Sequence, residues 1–314
     1  MKISILGPSG SYTEKAAHQI FSDFSGGTLE FVYLSAIENV VLDLFKNESD
    51  RADFAVIPVE NSIEGAVGIS MDLLLEKEVV IAAEVVLPIS HCLLLPAAFS
   101  QPASFSLEDI TRVYSHPQGL YQCRSFIRDR LKNARCIEAE STSQAALMIS
   151  NEANKADGKN ICAAIASAEA GEKYGLIAVR TNIQDNSSNS TRFFVLMRSD
   201  VKMPHEAQPL FLRNNFSKTE DGNLYFKTSV VFSPTNDKPG ALFHILEVFY
   251  RHRINLTRIE SRPSKKALGE YYFYIDLEGT PADNNVAEAL SKVSDKSSKI
   301  KILGTYGKIS SNSR

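Results

Sequence analysis

Phe54-Ala55-Val56-Ile57-Pro58-Val59-Glu60-Asn61-Ser62 reads as a buried strand that ends at a proline and then sets a carboxylate, an amide and a hydroxyl in consecutive positions. Six other short apolar runs share its character: Lys2 to Leu6, Val79 to Val86, Cys92 to Leu95, Arg112 to Tyr114, Ile161 to Ala166 and Phe193 to Leu196. Between them lie amphipathic stretches, among them Glu14 to Phe21, Ala36 to Phe45, Gln118 to Arg130 and Gln144 to Ser150. This alternation predicts an α/β fold with mainly parallel strands. Ligands of such sheets sit beyond strand ends, so the polar clusters at strand ends are where chemistry is expected.

Four clusters stand out. The polar run Asn182 to Ser190 leads through Thr191-Arg192 directly into Phe193-Phe194-Val195-Leu196. Gly7 to Thr13 follows a strand and precedes a helix, so its backbone donors and hydroxyls suit a substrate carboxylate, although an ordinary turn with an N-cap explains it equally well. Glu60-Asn61-Ser62 reads either as a site facing the mouth of the sheet or as a capping turn. Ser115-His116-Pro117-Gln118 offers an imidazole and an amide at a helix start, where His116 serves either as an acid or base or as a cap. Ser141 and Ser167 open two more such junctions.

Bulk composition excludes several classes. The 314 residues are 44% hydrophobic and 23% charged, which is a soluble globular balance with room for two or three domains. A net charge of −3, from 34 basic and 37 acidic residues, gives no basic excess for nucleic acid. Cys92, Cys123, Cys136 and Cys162 are scattered, without zinc spacing or a disulfide framework, and read as buried or half-buried thiols. The apolar start breaks at Gly7-Pro8 and no run is long enough to span a membrane, so a cytoplasmic protein is expected.

From about Asp200 to Asn223 the periodicity is lost, which predicts a linker or excursion over 201–225. Beyond it strand Lys227 to Ser233, helix Gly240 to Arg251, strands Asn255 to Ser261 and Glu270 to Leu277, helix Val286 to Val293 and strand Lys299 to Leu303 form a βαββαβ unit over 226–308. That is the ferredoxin-like order. A polar tail, 309–314, is expected to fray.

Six ordered segments carry a resemblance: GPSGSYTEKAA at Gly7, AVIPVENSIEGAV at Ala55, SHPQGLYQC at Ser115, AAIASAEAGEKYGL at Ala163, NIQDNSSNSTRFFVL at Asn182 and ESRPSKK at Glu260. With them the chain resembles the prephenate dehydratase family over nearly its whole length. The resemblance implies conversion of prephenate to phenylpyruvate with loss of carbon dioxide and water, without cofactor or metal. It further implies a catalytic region, 1–200, of two lobes like a periplasmic binding protein with the active site in their cleft. Thr191 is then the catalytic hydroxyl, with Asn61 and Gln118 as positioning amides. Ser11, Thr13, Ser62, His116, Arg192 and Phe193 are the expected substrate-binding residues.

The C-terminal unit resembles an ACT domain, a regulatory module that binds amino acids. L-phenylalanine is its implied effector, at Pro239, Gly240, Ala241 and Leu242 of the helix start and at Glu260, Ser261, Arg262 and Pro263. Phe243 stands where many members carry valine. A homodimer or homotetramer is expected, with no nucleic acid or membrane partner and no fused chorismate mutase. Arogenate dehydratase and a non-catalytic amino-acid sensor are the competing readings.

Overall fold

A computed structural model describes residues 1–99, 106–152, 161–212, 225–235, 238–265, 267 and 269–309. The first lobe runs β1 (Lys2–Leu6), α1 (Tyr12–Phe21), β2 (Glu30–Leu34), α2 (Ile37–Leu42), β3 (Phe54–Asn61), β4 (Gly65–Ala66), α3 (Gly68–Glu76) and β5 (Val79–Pro88). The chain then crosses to a second lobe of β6 (Cys92–Pro96), β7 (Ile110–Ser115), α4 (Pro117–Gln122), α5 (Arg124–Arg130), β8 (Arg135–Glu138), α6 (Thr142–Glu152), β9 (Ile161–Ala166), α7 (Ala168–Lys173) and β10 (Leu176–Arg180). It returns to the first lobe as β11 (Ser190–Arg198) and α8 (Gln208–Leu212). The C-terminal unit comprises β12 (Phe226–Pro234), α9 (Ala241–Arg251), β13 (Leu256–Pro263), β14 (Tyr271–Glu278), α10 (Asn284–Asp295) and β15 (Ser297–Ile309).

The double crossing shapes both sheets. In the first lobe β1 runs parallel to β2 and β3, but β11 is inserted antiparallel between β3 and β5. In the second, β7 runs parallel to β8 and β9, while β6 is antiparallel to β9 and β10. The expectation of mainly parallel strands is therefore corrected. A strand that re-enters a sheet from the end at which its neighbour left must run against it. The two crossings, 89–91 and 181–189, lie side by side: Ile89 N donates to Asn189 O (2.9 Å) and Ile183 N to His91 O (3.0 Å). Away from the crossings the lobes also touch where Tyr174 Oη donates to Ser9 O (2.6 Å) and Lys15 pairs with Glu169.

The C-terminal unit has the expected antiparallel order, β13-β14-β12-β15, with α9 and α10 packed on Val230, Phe232 and Ile275. Its sheet does not stop at the domain edge. β15 pairs parallel with β5, Gly307 opposite Ala83, so the sheets of the two units merge. Gly304 makes the close approach possible: a Cβ there would lie 2.5 Å from Ile81 O, and its φ is +152°. The face free of helices packs Tyr272, Tyr274 and Tyr306 onto the α2 and α3 side of the first lobe, beside Val40, Met71 and Phe194.

Three details differ from expectation. Of the expected linker or excursion, residues 201–212 clasp the first-lobe core: Ala207, Leu210 and Phe211 are buried, and the Phe211 ring lies 5.3 Å from that of Phe54. Residues 213–224 of that segment, and 310–314 of the expected tail, lie outside the described residues. The helix expected over Gln118 to Arg130 breaks at Cys123, whose backbone leaves the helical region. Cys136 is exposed, unlike the buried Cys92, Cys123 and Cys162. Among the described residues no helix is long and apolar enough to cross a membrane. Since truncating a buried phenylalanine costs about 3–5 kcal/mol, Phe211→Ala lowers stability by that amount in denaturant unfolding. A change below about 1 kcal/mol would mark the segment as a passive linker.

Candidate active site

The pairing of β3 with β11 sets Asn61 opposite Thr191. Asn61 Oδ1 accepts from Ile63 N (3.0 Å) and Glu64 N (3.1 Å), which fixes the orientation of the amide. Its Nδ2 then faces Asn189 Oδ1 (2.8 Å), Thr191 Oγ1 (2.9 Å) and Ser190 O (3.1 Å). Because an amide nitrogen only donates, the Thr191 hydroxyl accepts from it and keeps its own proton for another partner. Ser62 clasps the two loops, its Oγ accepting from Ser190 N (2.9 Å).

The chain of contacts continues across the crossings. Asn189 Nδ2 donates to Gln122 Oε1 (2.9 Å), and His91 Nε2 lies 2.9 Å from the same oxygen. An acceptor there places the His91 proton on Nε2, which leaves the buried Nδ1 without a partner. Burial lowers the His91 pKa and favours the neutral ring. Thr191, Asn61, Asn189, Gln122 and His91 thus form one hydrogen-bonded chain from the first lobe into the second. Asn189 and His91 are each only 2% exposed.

The structure brings together only part of the expected set. Gln118 is exposed, and its backbone N donates to His116 Nδ1 (3.2 Å). The amide that joins Thr191 is Gln122, one turn later. His116 is the N-cap of α4. Its pKa is lowered mainly by burial, against the opposing charges of Glu138 and of Glu64 on the other lobe. Ser11 is also a cap: its Oγ accepts from Glu14 N (3.2 Å) and donates to Leu6 O (2.9 Å). The loop expected to receive a substrate carboxylate already holds one of the protein's own, since Glu14 accepts from Gly10 N, Ser9 Oγ and Tyr33 Oη. Burial alone would raise the Glu14 pKa, but these donors more than offset it and the pKa lies below its ordinary value. Thr13 is buried in the first turn of α1.

Arg192 and Phe193 have other partners. Phe193 is buried among Ile3, Ile5 and Phe54. Arg192 donates from Nε to Glu84 (2.6 Å), from Nη1 to Asp276 (2.5 Å) and from Nη2 to Tyr306 Oη (2.9 Å), so its cation is committed inside the protein. In the C-terminal unit Gly240 opens α9 at φ +88° with no side-chain cap on the first turn. Ser261 pairs with Phe273 on the helix side of the sheet, whereas Arg262 reaches Asp72 of α3 (3.3 Å) on the opposite face. Among the described residues no group of three or more His, Cys, Asp or Glu side chains converges to hold a metal ion. A cavity of about 660 Å³ lies on the second lobe between Phe99, Leu107, Arg130 and Arg180, and none of these site residues lines it.

Fold and site together define a two-lobed α/β enzyme joined to a ferredoxin-like regulatory unit. A family model for prephenate dehydratase matches residues 3–201, and one for the ACT domain matches 235–295. The chain is 39% identical to a bifunctional chorismate mutase/prephenate dehydratase of Aquifex aeolicus, covering 98% of this chain and 74% of that one. It is 36% identical to a prephenate dehydratase of Methanocaldococcus jannaschii, over 95% of each. The solved prephenate dehydratase of Arthrobacter aurescens in complex with L-Phe is 28% identical, covers 98% of this chain and 90% of that one, and superposes with a TM-score of 0.75. The chain belongs to the prephenate dehydratase family.

Gln122, Asn189 and His91 escaped the sequence reading although the first two stand within quoted segments. Gln122→Ala is expected to lower kcat about 100-fold, as for loss of one preorganised donor, while Gln118→Ala stays within a few-fold of wild type. The reverse order in steady-state assays would return the role to Gln118. His91 supplies a pH test. Its pKa is lowered from 6.5 in the folded chain, so the unfolded chain takes up the proton first as pH falls, and the stability it contributes is lost below that value. The Tm difference between wild type and His91→Gln is therefore widest above pH 6.5 and narrows below it; a pH-independent difference would count against the neutral buried ring.

Proposed function

We propose that this chain converts prephenate to phenylpyruvate at the Thr191–Asn61–Asn189–Gln122 chain, and that L-phenylalanine regulates the step from the ACT unit. Prephenate already stores the driving force. As the ring carboxylate leaves as CO2, the electron pair of the breaking C–C bond enters the ring, the C–O bond to the ring hydroxyl breaks, and the ring becomes aromatic. The departing oxygen leaves as water once it gains a proton. Thr191, held as an acceptor by Asn61, is left to donate to that oxygen. Gln122 Oε1 is saturated by Asn189 and His91, which turns its amide hydrogens over to the substrate. Orienting the dianion and excluding water at the decarboxylating centre supply the rest. The fixed Asn61–Thr191 hydrogen bond is the observation that carries this reading.

For the effector, a βαβ crossover places the start of α9 and the end of β13 at the same end of the unit. This supports a site built from Pro239, Gly240, Ala241 and Leu242 with Ser261 and Pro263, with Glu260 and Arg262 on the face toward α3 and hence acting on the catalytic lobe. A homodimer or homotetramer joined through ACT units accords with Phe243 (62% exposed), Tyr250 (82%) and Ile259 (48%) on α9 and the edge strand β13.

Purified protein incubated in parallel with prephenate and arogenate, with and without L-phenylalanine, tests the whole reading. Prephenate turnover to phenylpyruvate that phenylalanine suppresses is the expected result. Preference for arogenate would reassign the substrate, and no turnover of either would favour a sensor. Thr191→Ala should lower kcat about 100-fold to 1000-fold with Tm unchanged, and near-normal turnover in that variant would remove Thr191 from the mechanism.

A further inference from the structure

Successive residues of a strand face opposite sides of its sheet. Where Asn61 and Thr191 meet on β3 and β11, their sequence neighbours Glu60 and Arg192 also pair, in the next register position. On that reverse side stands the ACT unit, and each of its four strands contributes a contact. From β14, Asp276 accepts from Arg192 Nη1 (2.5 Å); from β15, Tyr306 Oη accepts from Nη2 (2.9 Å). From β12, Ser229 Oγ bonds to Asp276 and Tyr306, and Lys227 Nζ donates to Glu84 (2.8 Å), the carboxylate that also holds Arg192 Nε. From β13, Arg258 Nε lies 3.2 Å from Glu60 Oε2, an ion pair without hydrogen-bond geometry, while its guanidinium rests on Met71 Sδ (3.6 Å). Arg192 Nη1 lies 3.6 Å from the same Glu60 oxygen.

We propose that the ACT unit completes the catalytic apparatus: Arg258 and Asp276 are positioning residues that hold Glu60 and Arg192, and through their backbone the placement of Asn61 and Thr191. Arg192, Arg258 and Lys227 balance Glu60, Glu84 and Asp276, so no member can shift without leaving a largely buried charge unpaired. Arg258 and the motif Glu260 to Pro263 share β13. A ligand that displaces the end of β13 therefore moves Arg258 against Glu60, and the effect arrives at the residue next to Asn61 through two contacts. The proposal rests on the assignment of Thr191 and Asn61 to the reaction.

The test uses the full-length chain carrying Arg258→Met, Arg258→Lys, Glu60→Gln and the Arg258→Met/Glu60→Gln pair. Kinetics with prephenate are read beside amide hydrogen exchange over residues 58–64 and 188–194. Expected is faster exchange in both segments of Arg258→Met, with kcat lowered on the order of 10-fold to 100-fold and KM nearly unchanged, as for a small misplacement of the reacting groups. Arg258→Lys restores part of the loss, and the double variant is no worse than the worse single one because both remove one link. Wild-type exchange and kcat in Arg258→Met, or additive effects in the double variant, would overturn the proposal. Faster exchange in a chain that turns over no prephenate would leave the mechanical link standing and overturn its catalytic role together with the proposed function. Arg258→Lys retains the cation, so the comparison survives if the methionine variant folds poorly.

Discussion

Alternation along two paired strands is the constraint on which the rest of this molecule depends. At one register step β3 and β11 present an amide and a hydroxyl; at the next they present a carboxylate and a guanidinium to the other side. The first pair needs a cleft, which the double crossing of the chain supplies. The second needs partners out of water, because an unpaired charge in a protein interior costs several kcal/mol. Only a second layer bearing matched charges meets that need, and the ACT sheet is that layer. The merging of β15 with β5 follows from the same demand: the sheet that must cover Arg192 is hydrogen-bonded to the sheet that carries it.

Within the cluster the protonation states are set by proximity. Burial opposes charge on both Asp276 and Arg192. For the arginine, Tyr306, Asp276 and Glu84 outweigh that penalty and its pKa lies above the ordinary value. For Asp276, the Arg192 charge, the Ser229 hydroxyl and Arg258 outweigh it and its pKa lies below. Each group keeps its charge because the other does, which makes the connection between the units a cooperative one. The Arg192 guanidinium also lies 4.6 Å above the Phe194 ring, so even its apolar neighbour favours the cation.

Much of the fold was legible because buried strands announce themselves. The runs at Phe54, Val79, Ile161 and Phe193 are all strands, and the βαββαβ order of the C-terminal unit appears as read. β2, β8 and β10 escaped the reading because they are short and only partly buried, although the apolar runs Phe31 to Leu34 and Leu176 to Val179 could have marked two of them. Strand direction was misread in both lobes, since it depends on where the chain re-enters a sheet and not on any local signal. At the candidate site, Asn61 and Thr191 were singled out because each ends or begins a buried strand. Gln118 was singled out from the helix start at His116 and from the family resemblance, whereas Gln122, a helix turn away, is the glutamine that meets Asn189. Arg192 was placed with the substrate because a cation beside a catalytic hydroxyl invites that reading. Its side-chain direction, inverted relative to Thr191, needed only the period of two to be noticed; its partners on β14 and β15 lie over eighty residues away and leave no local trace.

The commitment of Arg192 also bears on the chemistry. The chain from Thr191 to His91 contains a hydroxyl, three amides and an imidazole held neutral by burial, and no charged group. A cation set directly on the ring carboxylate of prephenate would hold the ground state more tightly than the transition state, because the negative charge leaves that group as CO2 forms. Interactions stronger in the ground state slow a reaction. Under the proposed function, neutral donors at the departing hydroxyl, with the Arg192 guanidinium turned to the reverse side of the sheet, avoid that penalty. On that reading the same strand turns its cation away from the substrate and onto the C-terminal unit, and the period-two geometry of β11 makes these two outcomes inseparable.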